Sequence, residues 1–117
     1  MPEINIFNND SNFQIFEPGE VIFKRGEQSD LMYAVIEGEI DIMVDGKTID
    51  TAYAGSLIGE MALIDNSPRS ATAQARTRAK VVPVTQKRFL FMVQQTPFFS
   101  IQVMRIMADR LRRLMES

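Results

Sequence analysis

The sequence predicts a mainly β protein, an antiparallel barrel, roll or sandwich followed by C-terminal helices. Three observations carry that expectation. Between Glu17 and Val84 the apolar residues fall in short runs separated by glycine turns, at a spacing of about 7–12 residues, which suits antiparallel sheets. Asp45-Gly46 lies between two alternating segments, a strong signal for a tight hairpin. After Val84 the pattern changes to a helical period and keeps it to the end.

Taken in order, residues 1–16 are polar with scattered Ile and Phe, and read as a lead-in or short helical turn covering one sheet edge. Glu17-Pro18-Gly19-Glu20 is a turn, because Pro presets φ and Gly supplies positive φ. Val21-Ile22-Phe23 is a short strand, ended by Lys24-Arg25-Gly26-Glu27. Leu31–Ile36 is a near-continuous apolar run, long enough for a buried strand. Glu37-Gly38-Glu39 breaks it, and Ile40–Val44 resumes with alternation into the Asp45-Gly46 turn. Lys47–Ala54 returns, and Ala71–Arg76 and Ala79–Val84 supply two more strands. Pro83 marks the last as an edge or a strand end. The β region thus spans about residues 17–84.

The helices occupy about residues 85–116. Thr85 caps the first, which runs through about Gln95, and Thr96-Pro97 starts the second, with Thr as cap and Pro at the first helical position. In the second helix Ile101, Met104, Ala108, Leu111 and Met115 follow a 3–4–3–4 spacing. Phe99, Val103, Ile106, Met107 and Leu114 widen the apolar arc beyond half the circumference. Gln102, Arg105, Asp109, Arg112 and Glu116 form a narrow wet face. Contact with one sheet needs a stripe of only ~100°. The surplus calls for other cover: a ligand, a second subunit or a following domain.

At 117 residues, with 45% hydrophobic and 24% charged residues, the chain has the length and make-up of one soluble domain spanning 1–117. No apolar run approaches the ~20 residues that span a membrane, and the N-terminus lacks the basic and apolar regions of a secretory signal, so a cytoplasmic location is expected. The absence of cysteine and histidine removes thiolate nucleophiles, imidazole bases and the common zinc, haem and iron–sulfur ligand sets. No metal-ligating acid cluster or catalytic carboxylate pair stands out. Binding without catalysis is therefore the expected activity. The net charge of −2 hides an asymmetry: residues 1–60 hold twelve acids and three bases, residues 61–117 three acids and ten bases. Bases with interleaved aromatics are missing, so the halves are expected to neutralise each other rather than bind nucleic acid.

The stretch Gly55–Thr72 concentrates the chemistry. Gly59 lets the backbone approach a ligand closely, and Glu60 stands at the start of a short helix through Ile64, whose first amides suit an anion. Arg69 can give the same anion a bidentate charge. An acid beside an anion makes sense if Glu60 meets a neighbouring hydroxyl, such as a ribose 2′-OH. The competing reading is a tight turn with Glu60 and Arg69 paired to each other on the surface.

Phe16-x-x-Gly19-x-x-Ile22, Gly26, Asp30-x-Met32-Tyr33-x-Val35, Glu37-Gly38 and the Gly55–Thr72 cassette together resemble the cyclic nucleotide-binding domain, over about residues 13–115. That family serves catabolite-activator-type regulators, kinase regulatory subunits and gated channels. The resemblance implies an eight-stranded antiparallel β-roll with a short cassette helix and C-terminal helices. It implies Glu60 on the ribose 2′-OH, Arg69 on the cyclic phosphate, backbone donors at Gly59, Met61 and Ala62, and a phosphate-reaching hydroxyl at Ser70. The implied ligand is cAMP, with cGMP as the alternative, and the final helix is the expected contact for a homodimer or an effector domain. Two positions depart from the pattern. Ser56 stands where an acid is common, and Leu114-Met115 stand where catabolite-activator-type members contact the base through Thr-Ser. No DNA-binding segment follows the last helix within these 117 residues.

Overall fold

A computed structural model describes residues 4–116; residues 1–3 of the predicted lead-in and residue 117 lie outside the described residues. Eight strands are present: β1 (Gln14–Phe16), β2 (Val21–Phe23), β3 (Leu31–Glu37), β4 (Ile40–Val44), β5 (Lys47–Ala52), β6 (Leu57–Ile58), β7 (Thr72–Ala75) and β8 (Ala79–Thr85). The helices are α1 (Met61–Ile64), α2 (Gln86–Gln95) and α3 (Pro97–Glu116). The strands form two four-stranded antiparallel sheets, ordered β1-β8-β3-β6 and β2-β7-β4-β5. This is the predicted antiparallel roll.

The first sheet is covered on both faces, which explains the continuous apolar run of β3. Tyr33 and Val35 join Val81, Ile40 and Ala73 in the core between the sheets. Met32 and Ala34 point the other way and join Val82, Val84, Phe89, Met92, Phe99, Val103 and Ile106 under the helices. A half-buried strand would alternate; one buried twice has no reason to.

Local chemistry sets the punctuation. Asp45 (φ 52°) and Gly46 (φ 78°) both take the left-handed region, as the tightest hairpin turn requires, and Val44 pairs with Lys47 across it. Thr85 caps α2 by accepting a hydrogen bond from the Arg88 amide at 3.2 Å.

The expectations for the start of the roll, for the lead-in and for Pro83 need correction. The roll begins before residue 17, because Gln14–Phe16 is a strand paired with β8. The lead-in also does more than cover an edge: Ile4 and Phe7 are fully buried in the helix-side core. Strand β8 is not an edge strand, since it lies between β1 and β3. Pro83 is accommodated because β1 reaches only as far as Val81, so one flank of β8 is open there. On α3 the inward stripe is Phe99, Val103 and Ile106, whereas Ile101, Met104, Leu111 and Met115 are exposed.

Candidate functional site

The segment from Gly55 to Thr72 leaves the first sheet, makes one helical turn and enters the second. Leu57 and Ile58 pair with Ala34 and Tyr33 of β3 and are fully buried, which anchors the start. Gly59 follows with φ 74°. A Cβ there would collide with the Arg69 guanidinium and lie 3.2 Å from the ring edge of Phe23, so space and backbone both demand glycine. Glu60 is the N-cap of α1, as predicted, and Ala62 and Leu63 are its buried residues. The far end is fastened by backbone: the Arg69 amide donates to Glu27 O at 2.8 Å, and the Gly26 amide to Arg69 O at 2.7 Å. The chain then enters β7, which pairs with β2.

Glu60 and Arg69 are buried, each 5% exposed, and they do not form an ion pair with each other, so the surface-pair reading fails. Glu60 Oε1 instead accepts from Arg110 Nη1 of α3 at 2.8 Å. Arg110 also donates from Nη2 to Leu57 O at 2.8 Å and to Ser56 Oγ at 3.3 Å, and from Nε to Asp50 Oδ2 at 3.1 Å. Arg113 adds two bonds of 3.0 Å to the Asp50 carboxylate. Burial opposes ionisation of Asp50, but Arg113 and Arg110 outweigh it and hold this carboxyl below its ordinary range. The hydrogen bond to Asp50 in turn raises Arg113.

Arg69 is held differently. Its Nη1 donates to Gly59 O at 3.1 Å, and its guanidinium carbon lies 4.1 Å from the centre of the Phe23 ring. Its Nε has no hydrogen-bond partner, and among the described residues no carboxylate lies within ion-pairing distance. Burial lowers its pKa; Tyr33, Glu27 and Glu60 oppose that from further away. An enclosed cation with an idle donor is an unfinished arrangement that an anion would complete.

All six predicted residues, Gly59, Glu60, Met61, Ala62, Arg69 and Ser70, line one cavity of about 310 Å³. This is the scale of a small-molecule site. Ser70 stands exposed at its rim, with its hydroxyl 3.8 Å from the sulfur of Met61. The Ala62 amide already donates to Gly59 O at 3.3 Å. Sequence reasoning missed the lining that comes from outside the cassette: Phe23 of β2, Ile42 of β4, Ile49 of β5, and Arg110 of α3. Leu114, noted for its departure, does reach the cavity, whereas Met115 is 76% exposed and does not line it. Arg110 continues the inward stripe of α3, four residues after Ile106, so a charge in phase with a buried stripe was the available signal. Among the described residues no group of acids is placed to hold a metal ion.

The family model for the cyclic nucleotide-binding domain matches residues 13–96. The chain belongs to this family. It is 33% identical over 93 residues to a cGMP-dependent protein kinase of Plasmodium berghei, covering 80% of this chain and 11% of that protein. With a cAMP-dependent protein kinase regulatory subunit of Debaryomyces hansenii it shares 42% identity over 60 residues, 51% of this chain and 13% of that protein. The chain spans about a tenth of the length of these curated relatives. The cAMP-bound PfPKA-R structure superposes with a TM-score of 0.75 at 32% identity, over 89% of this chain and 36% of that one. The Thermus thermophilus catabolite activator protein gives 0.74 at 26% identity, over 86% and 49%. The cyclic nucleotide-binding domain match ends at residue 96, so the helix that brings Arg110 and Leu114 to the cavity lies beyond the family-matched span.

Proposed function

We propose that the chain, as one domain over residues 1–117, is a non-enzymatic cytoplasmic sensor that binds a cyclic nucleotide and signals through α3. The observation that carries this reading is Arg69: a buried guanidinium with no ion-pair partner and an unbonded Nε, in a residue that lines a cavity of small-molecule size. A cyclic phosphate supplies the missing charge and accepts two in-plane hydrogen bonds. Backbone at Gly59, Met61 and Ala62 and the Ser70 hydroxyl complete its surroundings. Glu60 takes the ribose 2′-OH. Its charge does not oppose the phosphate, because Arg110 neutralises it at 2.8 Å.

The base lies toward Ile42, Ile49 and Leu114. Those walls are apolar, and guanine presents more polar edge groups than adenine, so burying it there leaves more donors and acceptors unpaired. We therefore place cAMP first and cGMP second. Signalling follows from a shared residue: ligand on Glu60 perturbs the bonds of Arg110, and Arg110 belongs to α3. The helix responds only if ligand binds its two arrangements with different affinity.

Titration calorimetry with cAMP and with cGMP tests the proposal. Saturable heat at micromolar ligand is the expected result, stronger for cAMP, and no heat with either at high micromolar concentration removes it. A second reading, an interaction module that binds no nucleotide, is favoured by the bond Glu60 already makes and by the exposed apolar residues of α3. It predicts a silent titration and a molecular size that nucleotide does not change.

A further inference from the structure

Arg69 poses a physical question of its own. A buried cation is usually held by a carboxylate, which satisfies its charge by occupying its N–H groups. Here one N–H is taken by Gly59 O, and Nε is left without a partner. Beside the guanidinium is the Phe23 ring, with Cζ over its face and 4.1 Å from its centre. An aromatic face attracts a cation through its quadrupole, not through a hydrogen bond. It steadies the charge and consumes none of the in-plane donors.

The ring cannot easily move away. Phe23 is 8% exposed and stacks on Tyr33, with centroids 6.1 Å apart and planes at 22°. Its strand pairs with β7, which places it opposite Ala73, a residue too small to displace it. On the open side, even a methyl group at Gly59 would press on both the ring and the guanidinium. Phe23, Arg69 and Gly59 are therefore packed as a unit.

From this geometry we infer that Phe23 is a positioning residue for anion binding: its ring holds Arg69 at the cavity wall without occupying any of its N–H groups. Tyr33, behind it, fixes the ring. This rests on the reading of the cavity as a cyclic nucleotide site. A leucine or methionine at 23 fills a similar apolar volume but offers no quadrupole, so Arg69 is left to find polar partners that compete with the ligand.

The test is a double-mutant cycle read by titration with cAMP. Phe23→Leu is expected to weaken binding on the order of tenfold, and Phe23→Tyr, which keeps the face, by less than about threefold. In an Arg69→Gln background Phe23→Leu should change affinity by less than about twofold, because the group it acts through is gone. Thermal melting of each unliganded variant verifies folding, and Phe23→Met replaces Phe23→Leu if the latter does not fold. An unchanged affinity in Phe23→Leu, or an equal loss in both backgrounds, overturns the inference, since a general packing role predicts the latter. A wild-type protein that binds no cyclic nucleotide instead overturns the functional reading itself.

Discussion

Arg69 and Glu60 show how two buried charges can be treated oppositely within one cavity. Glu60 is compensated by Arg110, whereas Arg69 has an aromatic face and one carbonyl. Burying a charge without an ionic partner costs stability, and a bound anion would offset that cost. Arg69→Ala should therefore separate stability from binding. It should weaken cyclic nucleotide affinity by about 2–5 kcal/mol, the usual range for truncating one partner of a buried charged pair. The unliganded melting temperature should hold or rise. Affinity within twofold of wild type would place the phosphate elsewhere. Both residues were legible in the sequence because the cassette is local: glycine, acid and arginine lie within eleven residues, where turn and helix-end rules apply. Phe23 was not, because only the pairing of β2 with β7 brings it to Arg69.

At the scale of the element, α3 joins the core beneath the helices to the wall of the cavity. Its inward face begins as hydrocarbon, Phe99, Val103 and Ile106, and ends as charge, Arg110, on the carboxylates of Glu60 and Asp50. Hydrocarbon fastens the first half, while the second half is held by a polar network that includes Glu60, an acid of the cavity wall. Asp50 gives this a pH signature. Its folded carboxyl titrates below its unfolded one, so its contribution is fully present above the unfolded value of ~3.9 and disappears as pH falls through the depressed folded value. Asp50→Asn should thus melt below wild type at pH 7, and the gap should narrow below about pH 4. A gap that stays constant between pH 7 and pH 3 would show that Asp50 acts through packing. The sequence showed that α3 has too much apolar surface for one contact, and Ile101, Met104, Leu111 and Met115 are indeed exposed. Which side looks inward was not readable, because an arc wider than half the circumference fits a core in several rotations.

For the whole molecule, the sheet β1-β8-β3-β6 divides two cores, and the N-terminal segment closes the one that includes the helices. Phe7 is fully buried, meets Phe99 edge-on at 6.3 Å, and lies under the guanidinium of Arg88 at 4.9 Å. Arg88 is also ion-paired with Asp10, so the segment is tied by charge as well as by packing. Phe7→Ala should cost about 3–5 kcal/mol in urea unfolding, a large part of what a domain of this size has. A loss under about 1 kcal/mol would make the segment an accessory to the core. The charge asymmetry is resolved at this scale too. Of the eight ion pairs among the described residues, six join a base after residue 60 to an acid at or before it. Five of the ten bases after residue 60 are thus paired with the acidic half of the chain.

The sequence by itself determined what depends on a few neighbouring residues: the Asp45-Gly46 hairpin, the Thr85 cap, the buried run of β3, and the placing of glycine, acid and arginine in one cassette. These follow from φ preferences, capping and periodicity, which act over a turn or two of chain. Tertiary structure decided what depends on distance. Strands β1 and β6, of three and two residues, are too short to show a period, and exist because β8 and β3 offer them partners. The bonds from Arg110 to Asp50 and Glu60 span 60 and 50 residues. No local preference encodes them. They form because packing of α3 on the helix-side core brings the half-buried Arg110 against the two acids.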